Sequence, residues 1–362
     1  MSTPTRTYVY VSNAADADIA CFSLSSDLHL TPQGRVPAGP LVMPMAASSD
    51  GRFLHAAIRT APFSLHTHRI DAAKGALTPL AHTPLPDNMV FIALDQTGRW
   101  LLCASYSGNT VAVHAVDAEG QVSAQAACFF PTGGVKPHSI RIDPANQWVY
   151  VPHLGSDEIQ AYPFDARNGQ LARHACVSTR LPPGFGPRHF VFSRDGRFLY
   201  LLGEMSGHVA VFERDTAHGA LRLIQSISSL PADSTLLPGV ARLPTGAEGA
   251  VDFDETKVIW CADLQITPDG RHLFSTERTR DHIGRFAVDT ASGLLRFLGQ
   301  TPTERQPRGI AIDPAGRYLI ASGEKSTQLS LYTLDSRTGD LQLKEQVPVG
   351  RGANWVQIVQ AP

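Results

Sequence analysis

The sequence lacks several features on which common classes of protein depend. Nowhere do about 18 apolar residues follow one another, so no membrane-spanning helix is predicted. The opening residues, MSTPTRTYVYVSN, contain no basic segment followed by an apolar core, which argues against an export signal. The five cysteines are widely spaced along 362 residues and predict neither a disulfide framework nor a zinc site. Together these absences favour a protein of the reducing cytoplasm.

Charge of either sign is not in excess. There are 31 Lys and Arg against 33 Asp and Glu, and the net charge of −2 provides no attraction for nucleic acid or an anionic membrane. A P-loop, a Rossmann glycine run and a GxSxG elbow are also missing, because the segment GEMSG has methionine at the central position. The expected partner is therefore a small molecule, with no cofactor, and the chain is expected to be a monomer or weak dimer.

A metal site is not predicted either. The segment HTH places His66 and His68 two residues apart, which on a strand would present two imidazoles on one face. A third ligand is not evident in the sequence.

What the chain does contain is a repeat. A turn-centred phrase recurs as SSDGRFLH, DQTGRWLL, DPANQWVY, SRDGRFLY, TPDGRHLF and DPAGRYLI, with markers at 51, 98, 146, 196, 270 and 316. A second phrase with an aspartate and a glycine follows each one, as in DTAHGAL and DTASGLL. Each unit reads as four short antiparallel strands, A to D, joined by tight turns. Such a unit, repeated every 40 to 50 residues, is typical of a propeller blade.

Counting the A strands gives the number of blades. Six recur along the chain, and a seventh, NWVQIVQA, stands at its end, while the first unit begins directly with strand B. The sequence therefore predicts an all-β, seven-bladed β-propeller with four antiparallel strands per blade. The C-terminal strand is expected to join the N-terminal blade and close the ring. We expect one domain over residues 1–362, with a Pro- and Gly-rich loop inserted at about 230–258, between a strand D and the next strand A.

Topology predicts which face carries the chemistry. The DGR and DxxxG turns lie on one face, and the D–A linkers and B–C loops lie on the opposite face, near the axis. These linkers and loops contain charged or polar residues that differ from blade to blade: Arg59, Tyr106, Lys136, His138, His153, Arg188, His189, Glu204, Glu277, Arg278, Arg308, Glu324 and Lys325. A concave surface rich in arginine is suited to an anionic ligand.

A structural role is the alternative interpretation for any one of these charges, since loop charges are usually solvated. The arginines that follow the opposite turns, Arg52, Arg197, Arg271 and Arg317, repeat in most blades and are best interpreted as structural. The residues on the other face do not repeat, which favours a functional site. His138, Arg188 and Glu204 are the main candidates.

The chain resembles a known family, the seven-bladed propeller lactonases that include bacterial 6-phosphogluconolactonase and fungal carboxymuconate cycloisomerase. The resemblance is carried by GPRHFVF, TPDGRHL, ERTRDHIGRFAVD, PTERQPRGIAID and GRYLIASGEKS. It implies a lactone substrate, with His138, Arg188 and Glu204 as catalytic residues and Arg278 as a second arginine of the site. The sequence departs from related bacterial enzymes in the loop PHLGSD, where Gly155 stands in a position that often carries lysine, and in the length of the insertion.

Given this resemblance, we expect water to attack the carbonyl of a sugar δ-lactone, most simply 6-phosphoglucono-1,5-lactone of the pentose phosphate pathway. His138 or Glu204 would act as general base and Arg188 would face the oxyanion. The expected substrate-binding residues are Arg278, Arg308, His189, His153, Arg59 and Lys325. Two alternatives stay open: a lactonase or cycloisomerase for an unphosphorylated sugar-acid, aldarate or muconate lactone, and a non-catalytic binding scaffold.

Overall fold

A computed structural model describes residues 6–241 and 254–361, and these residues form β-strands joined by short turns. The repeated turn phrases have the predicted geometry. Gly196, in the SRDG turn, has φ of 69°, and Asn146 occupies the equivalent place with φ of 59°. Residues that tolerate positive φ therefore close the hairpins.

The strands assemble into seven antiparallel sheets, one for each blade. Blade 1 consists of β1 (Arg6–Asn13), β2 (Asp18–Leu24), β3 (Leu30–Pro37) and the last strand, β29 (Ala353–Ala361). Blade 2 consists of β4 (Val42–Ala47), β5 (Phe53–Ile58), β6 (Ser64–Ile70) and β7 (Leu77–Pro84). Blade 3 consists of β8 (Met89–Leu94), β9 (Trp100–Ser105), β10 (Thr110–Val116) and β11 (Val122–Pro131). Blade 4 consists of β12 (Arg141–Ile142), β13 (Trp148–His153), β14 (Glu158–Asp165), β15 (Gln170–Leu171) and β16 (Val177–Arg180).

The other three blades have four strands each. Blade 5 consists of β17 (Pro187–Phe192), β18 (Phe198–Gly203), β19 (His208–Arg214) and β20 (Leu221–Ser228). Blade 6 consists of β21 (Cys261–Ile266), β22 (His272–Glu277), β23 (His282–Val288) and β24 (Leu295–Pro302). Blade 7 consists of β25 (Pro307–Ile312), β26 (Tyr318–Gly323), β27 (Gln328–Leu334) and β28 (Leu341–Pro348).

The ring closes as predicted. Strand β29 pairs antiparallel with β1, so the end of the chain supplies the innermost strand of blade 1. The innermost strands of neighbouring blades contact one another, as between β29 and β4 and between β25 and β29. Closure removes the exposed inner edge that an open stack of blades would leave.

Blade 4 departs from the simple pattern. Its innermost strand β12 is two residues long, and its outer strand is interrupted by a 3₁₀ helix at Arg173–Ala175, with β15 before it and β16 after it. Lys136, which precedes Pro137, has φ of 59°, as Gly186 and Gln306 have φ of 64° and 55° before Pro187 and Pro307.

The core lies between the blades. Strands B and C are mostly buried, and clusters such as Tyr150, Phe190, Leu201 and Phe212 combine residues of two adjacent blades. Burying one such side chain contributes about 1.5–3 kcal/mol. Since every blade is covered by two neighbours, the ring holds the D–A linkers and B–C loops rigidly around one mouth.

The predicted insertion lies between β20 and β21, and the part within 242–253 falls outside the described residues. On either side of that gap, Leu237 and Val258 form a parallel bridge, and the backbone N–H of Gly239 donates to the carbonyl of Met205. The described ends of the insertion are thus attached to the face that carries the B–C loops.

Candidate active site

The strand ladders fix which residues meet on this face. Pro137 bridges His153, Pro187 pairs with Gly203, and Pro307 pairs with Gly323. The residue after each of these prolines is therefore equivalent in the repeat: His138, Arg188 and Arg308. This is the register that the sequence predicted.

A cavity of about 580 Å³ opens on the axis at this face. It has the size of a small-molecule site. Its lining includes most of the residues expected from the sequence: Arg59, Tyr106, His138, Arg188, Glu204, Arg278, Arg308, Glu324 and Lys325. The structure therefore brings these residues of six different blades together.

Glu204 lies at the centre of one wall. Its Oε2 accepts a hydrogen bond from Arg188 Nε at 2.6 Å and lies 3.2 Å from an Nη of Arg278. Its Oε1 accepts the indole N–H of Trp260 at 3.0 Å. The carboxylate is 7% exposed and the side chain of Arg188 is 1% exposed, so the pair is largely removed from water.

These donors keep Glu204 ionised. Burial alone would raise the pKa of a carboxyl group, but Arg278, Arg188, Arg308 and the Trp260 N–H outweigh it and lower the pKa of Glu204. A carboxylate that accepts two N–H groups and is ion-paired with a second arginine is a weak base, because its lone pairs are engaged.

Both arginines are anchored by backbone as well. An Nη of Arg188 donates to the carbonyl of Ala262. Arg278 donates to the carbonyls of Trp260 and Cys261, each at 3.0 Å, and its guanidinium stacks on the Trp260 ring at 3.7 Å. The cations are therefore preorganised, and their positions do not depend on a ligand.

His138 faces the same carboxylate from blade 4. Its Nε2 lies 3.9 Å from Glu204 Oε2, and its Nδ1 is buried with no hydrogen-bond partner among the described residues. Burial, followed by Arg188, His189 and Arg308, holds the pKa of His138 well below its usual range. The imidazole is therefore neutral at pH 7 and can accept a proton.

The opposite wall carries cations that are less fully engaged. Arg308 donates to Glu324 Oε1 at 2.7 Å, and Arg59 donates through Nε to the Asn88 side chain at 2.8 Å. Among the described residues no further hydrogen bond is formed by the terminal nitrogens of Arg59. At the rim, Lys325 Nζ lies 3.9 Å from Glu255, which belongs to the described end of the insertion.

Two of the expected binding residues do not line the cavity. His153 is the last residue of β13, so its equivalent in blade 5 is Gly203, and Leu154 occupies the place of Glu204. The His153 ring points toward the linker between blades 3 and 4, where Nε2 lies 2.9 Å from Thr132 Oγ1, and burial lowers its pKa to about 4. Because of this register His153 lies outside the cavity, so the expectation that it binds substrate is corrected.

His189 lies directly beneath the floor of the cavity. Its Nδ1 is 2.9 Å from Asp263 Oδ1, and its ring makes edge contacts with Phe91, His138 and Trp355. Successive residues of a strand point in different directions, so Arg188 reaches the cavity and its neighbour His189 does not. His189 was expected to contact substrate directly. It instead packs against the His138 ring from below the cavity.

Sequence reasoning missed Trp260 and gave no role to Tyr106. Trp260 directly precedes β21, as Gly186 precedes β17 and Gln306 precedes β25, so its position in the linker was the available signal. Tyr106 follows β9 in the same slot as Glu204, and its ring packs edge-on against His138 at 5.5 Å and beneath Lys136 Nζ at 5.0 Å. Both aromatic rings position charged or titratable groups of the site.

The arginines of the DGR turns, on the face opposite the cavity, have the geometry expected for a structural role. Arg52, Arg197 and Arg271 each pair with the aspartate two residues earlier, at 2.6, 2.8 and 2.9 Å, on exposed hairpins. His66 stacks on His82 at 3.8 Å rather than completing a ligand set. Over residues 6–241 and 254–361, no group of three or more His, Cys, Asp or Glu side chains is arranged to hold a metal ion. No helix within those ranges has the length and apolar character needed to cross a membrane.

Comparison with known proteins gives the class. Residues 8–358 match the family described as "Lactonase, 7-bladed beta-propeller", so the chain belongs to the seven-bladed β-propeller lactonases, hydrolases that open cyclic esters. It is 34% identical over 305 residues to the 6-phosphogluconolactonase of Serratia proteamaculans (strain 568), with 84% of each chain covered. It is 35% identical over 307 residues to the 6-phosphogluconolactonase of Yersinia pestis (strain Pestoides F), again with 84% of each chain covered.

Solved structures agree with this assignment. A periplasmic gluconolactonase of Pseudomonas aeruginosa is 26% identical with a TM-score of 0.80, covering 99% of both chains. A protein from Lactobacillus plantarum is 23% identical with a TM-score of 0.83, covering 98% of this chain and 99% of that one, and shows the same fold. The prediction of a seven-bladed propeller lactonase is confirmed.

Proposed function

We propose that the chain hydrolyses 6-phosphoglucono-1,5-lactone to 6-phosphogluconate without a metal ion. The observation that carries this proposal is the charge of the cavity. Among the residues that the structure describes, its lining has five cationic side chains, Arg59, Arg188, Arg278, Arg308 and Lys325, against the three carboxylates of Glu204, Glu255 and Glu324. The excess of two positive charges complements a phosphate dianion. The names of the relatives from Serratia and Yersinia support the same substrate.

In this proposal the two walls of the cavity have different roles. Arg278 uses Nε and Nη2 for backbone carbonyls and for the ion pair with Glu204, so in this proposal it holds the carboxylate rather than the phosphate. Arg308 and Arg59 lie on the other wall, where Lys325 also reaches the rim. Guanidinium groups bind phosphate oxygens in pairs, and these two arginines are the phosphate-binding residues of the proposal.

His138 is the general base of this mechanism. Its lowered pKa leaves the imidazole unprotonated at pH 7, whereas Glu204 already accepts two N–H groups and is ion-paired with Arg278. A water molecule at hydrogen-bonding distance from His138 Nε2 also comes within reach of Glu204 Oε2, because these two atoms are 3.9 Å apart. Glu204 then stabilises the imidazolium as the proton arrives.

The proposed reaction consists of the addition of water to the lactone and the opening of its ring. Water attacks C1 of the lactone while its proton passes to His138, and the carbonyl π electrons move onto oxygen to give a tetrahedral oxyanion. Arg188, buried and held in place, faces this charge, a contribution of about 3–4 kcal/mol for a preorganised donor. The oxyanion re-forms the carbonyl, the C1 bond to the ring oxygen breaks, and that oxygen takes the proton from His138. The resulting acid ionises and leaves.

An unphosphorylated lactone is the second candidate. The similarity to the gluconolactonase of Pseudomonas aeruginosa favours it. So does Gly155, where an added Cβ would lie 2.7 Å from Val135 Cγ1, so a lysine side chain has no room at that position. The mechanism would be unchanged, and only the ligand of Arg59 and Arg308 would differ.

The test is the initial rate of hydrolysis of 6-phosphoglucono-1,5-lactone at slightly acidic pH, coupled to 6-phosphogluconate dehydrogenase. Unphosphorylated gluconolactone and an aldarolactone are followed in parallel by acid release. We expect turnover well above the spontaneous rate, with kcat/KM for the phosphorylated lactone at least about 10-fold higher, since charge-assisted hydrogen bonds contribute about 1.5–3 kcal/mol. Equal or greater kcat/KM with an unphosphorylated lactone would overturn the assignment of the substrate.

A further inference from the structure

Beneath the candidate active site, the axis of the propeller contains two more layers of side chains. The first layer, which includes Phe91, His189, Asp263 and Trp355, closes the floor. The ladders place the next layer three positions after His138, Arg188, Arg308 and their equivalents in the other blades. These seven positions hold Arg141, Gln265 and Gln357 with Ala46, Ala93, Val191 and Ala311.

The alanines leave space around the polar side chains. Two adjoining cavities, of about 270 and 200 Å³, open here toward the face that carries the DGR turns. Both are lined by Arg141, Trp355 and Gln357. They are smaller than the usual site for a drug-sized ligand of about 300–1,000 Å³, so they suit a small ion or acid.

Arg141 lies in this space with an incomplete set of partners. Its guanidinium lies 5.1 Å from the centre of the Phe91 ring, and its Nε is buried without a hydrogen-bond partner. Among the described residues Arg141 forms no salt bridge, and the Asp263 carboxylate acts on it only at longer range, partly opposing the effect of burial, which lowers the pKa of Arg141. A buried donor without a hydrogen-bond partner is costly, and a bound anion that accepts from Arg141 Nε would offset that cost.

The two nearby carboxylates accept several hydrogen bonds, although burial still raises the pKa of Asp263. Asp263 accepts the N–H groups of Leu264 and Ile310 and lies 2.9 Å from His189 Nδ1. Asp95, at the lower end, accepts hydrogen bonds from Thr97, Asn146 and the backbone N–H groups of Arg99 and Trp100. The amide groups of Gln265 and Gln357 and the indole of Trp355 add neutral donors.

We propose that Arg141, with Gln357 and Trp355, forms a second ligand site on the axis that takes a small oxyanion, either inorganic phosphate or a small carboxylate. The site opens on the opposite face from the catalytic cavity and is separated from it by the His189–Asp263 layer. The proposal does not depend on which lactone the enzyme opens.

The test is calorimetric titration of the full chain with inorganic phosphate, and separately with gluconate, at low ionic strength and pH 7. The variants are Arg141→Met, which keeps the stem of the side chain, and Arg308→Gln, which changes the upper cavity. We expect an anion-binding event that is at least about 10-fold weaker in Arg141→Met and unchanged in Arg308→Gln, as loss of a charged hydrogen-bond donor predicts. Lactonase turnover without added anion should be unchanged in Arg141→Met.

Binding of either anion that requires Arg141 supports the proposal, and the two titrations identify which anion is taken. Wild-type affinity for both anions in Arg141→Met, or no anion binding beyond that removed by Arg308→Gln, overturns it. If Arg141→Met does not fold, Gln357→Glu tests the same site by placing a negative charge in it. That variant should abolish the Arg308-independent event, and its persistence contradicts the proposal.

Discussion

Two buried arginine–carboxylate pairs lie at opposite ends of this propeller, and they differ in what surrounds them. Arg214 Nη2 and Asp143 Oδ2 are 2.8 Å apart near the DGR turns, with both side chains 1% exposed. Arg188 and Glu204 are 2.6 Å apart at the other end, with side chains 1% and 7% exposed. Burial and distance alone do not separate a structural pair from a catalytic one.

The surroundings of the two arginine–carboxylate pairs distinguish them. Asp143 accepts the backbone N–H groups of Gln147 and Trp148, and Arg214 lies within 3.2 Å of Tyr150 Oη while its guanidinium packs on Phe192. One cation meets one carboxylate, and every group is satisfied. Glu204, in contrast, meets two arginines and faces His138 across an open cavity. An excess of one charge beside a cavity is the feature that marks a site for a ligand of the opposite charge.

Breaking the structural pair should have the largest effect on stability. Arg214→Met leaves the Asp143 carboxylate buried without its cation, and the free energy of unfolding should fall by about 3–5 kcal/mol. Chemical denaturation measures this, and kcat of the folded enzyme should stay at the wild-type value. A loss of kcat without loss of stability would contradict the structural assignment of this pair.

Breaking the proposed catalytic pair, Arg188 and Glu204, should reverse that result. Arg188→Met should lower kcat about 100- to 1,000-fold, because a preorganised donor to the oxyanion is lost. Stability should fall less than in Arg214→Met, since Arg278 and Trp260 still hold Glu204. The matched control is Arg197→Met in the same blade, whose side chain is 52% exposed and should have wild-type kinetics.

His138→Gln should lower kcat at least about 100-fold, the usual contribution of a positioned base. The control is His218→Gln, on an exposed turn of the opposite face, where the side chain is 80% exposed. Steady-state turnover of the lactone measures both. Near-normal kcat in His138→Gln would remove His138 as the base and leave Glu204 for that role.

The opposite wall should affect binding rather than chemistry. Arg308→Gln should raise KM for the phosphorylated lactone about 10-fold, through loss of a charged hydrogen bond to phosphate. KM for unphosphorylated gluconolactone should change little, and kcat should be retained for both. An equal effect on the two substrates would show that Arg308 does not bind the phosphate.

The smallest predicted effect is the change in enzymatic turnover with pH. His138 must be unprotonated to act, and its pKa in the folded protein lies below the ordinary value of about 6.5. Enzymatic turnover at pH 6, corrected for the spontaneous reaction, should therefore stay within about 2-fold of that at pH 7.5. A free imidazole would be mostly protonated at pH 6, so a decline that follows a pKa near 6.5 would contradict the environment of His138. The free energy of unfolding should also decrease as pH falls below about 6.5. In that range the unfolded chain binds a proton at His138 that the folded chain does not bind.

The repeat made the fold predictable to the level of individual strands. The seven A strands, the closing role of β29 and the equivalence of His138, Arg188 and Arg308 all follow from a turn phrase of fixed spacing. The face and most of the cavity lining followed from the same register. His153 and His189 could not be placed in this way, because one residue along a strand changes the direction of a side chain.

The sequence by itself determined the class of fold and the set of unusual residues at the mouth, since hairpin turns and alternating strands are local features of the chain. Only the tertiary structure decided how those residues pair. Arg278, Trp260 and Glu204 come from different loops, and their distances determine that Glu204 is ionised and engaged while His138 is neutral and able to accept a proton. Protonation states depend on burial and on charges that are remote in sequence, and these exist only once the ring has closed.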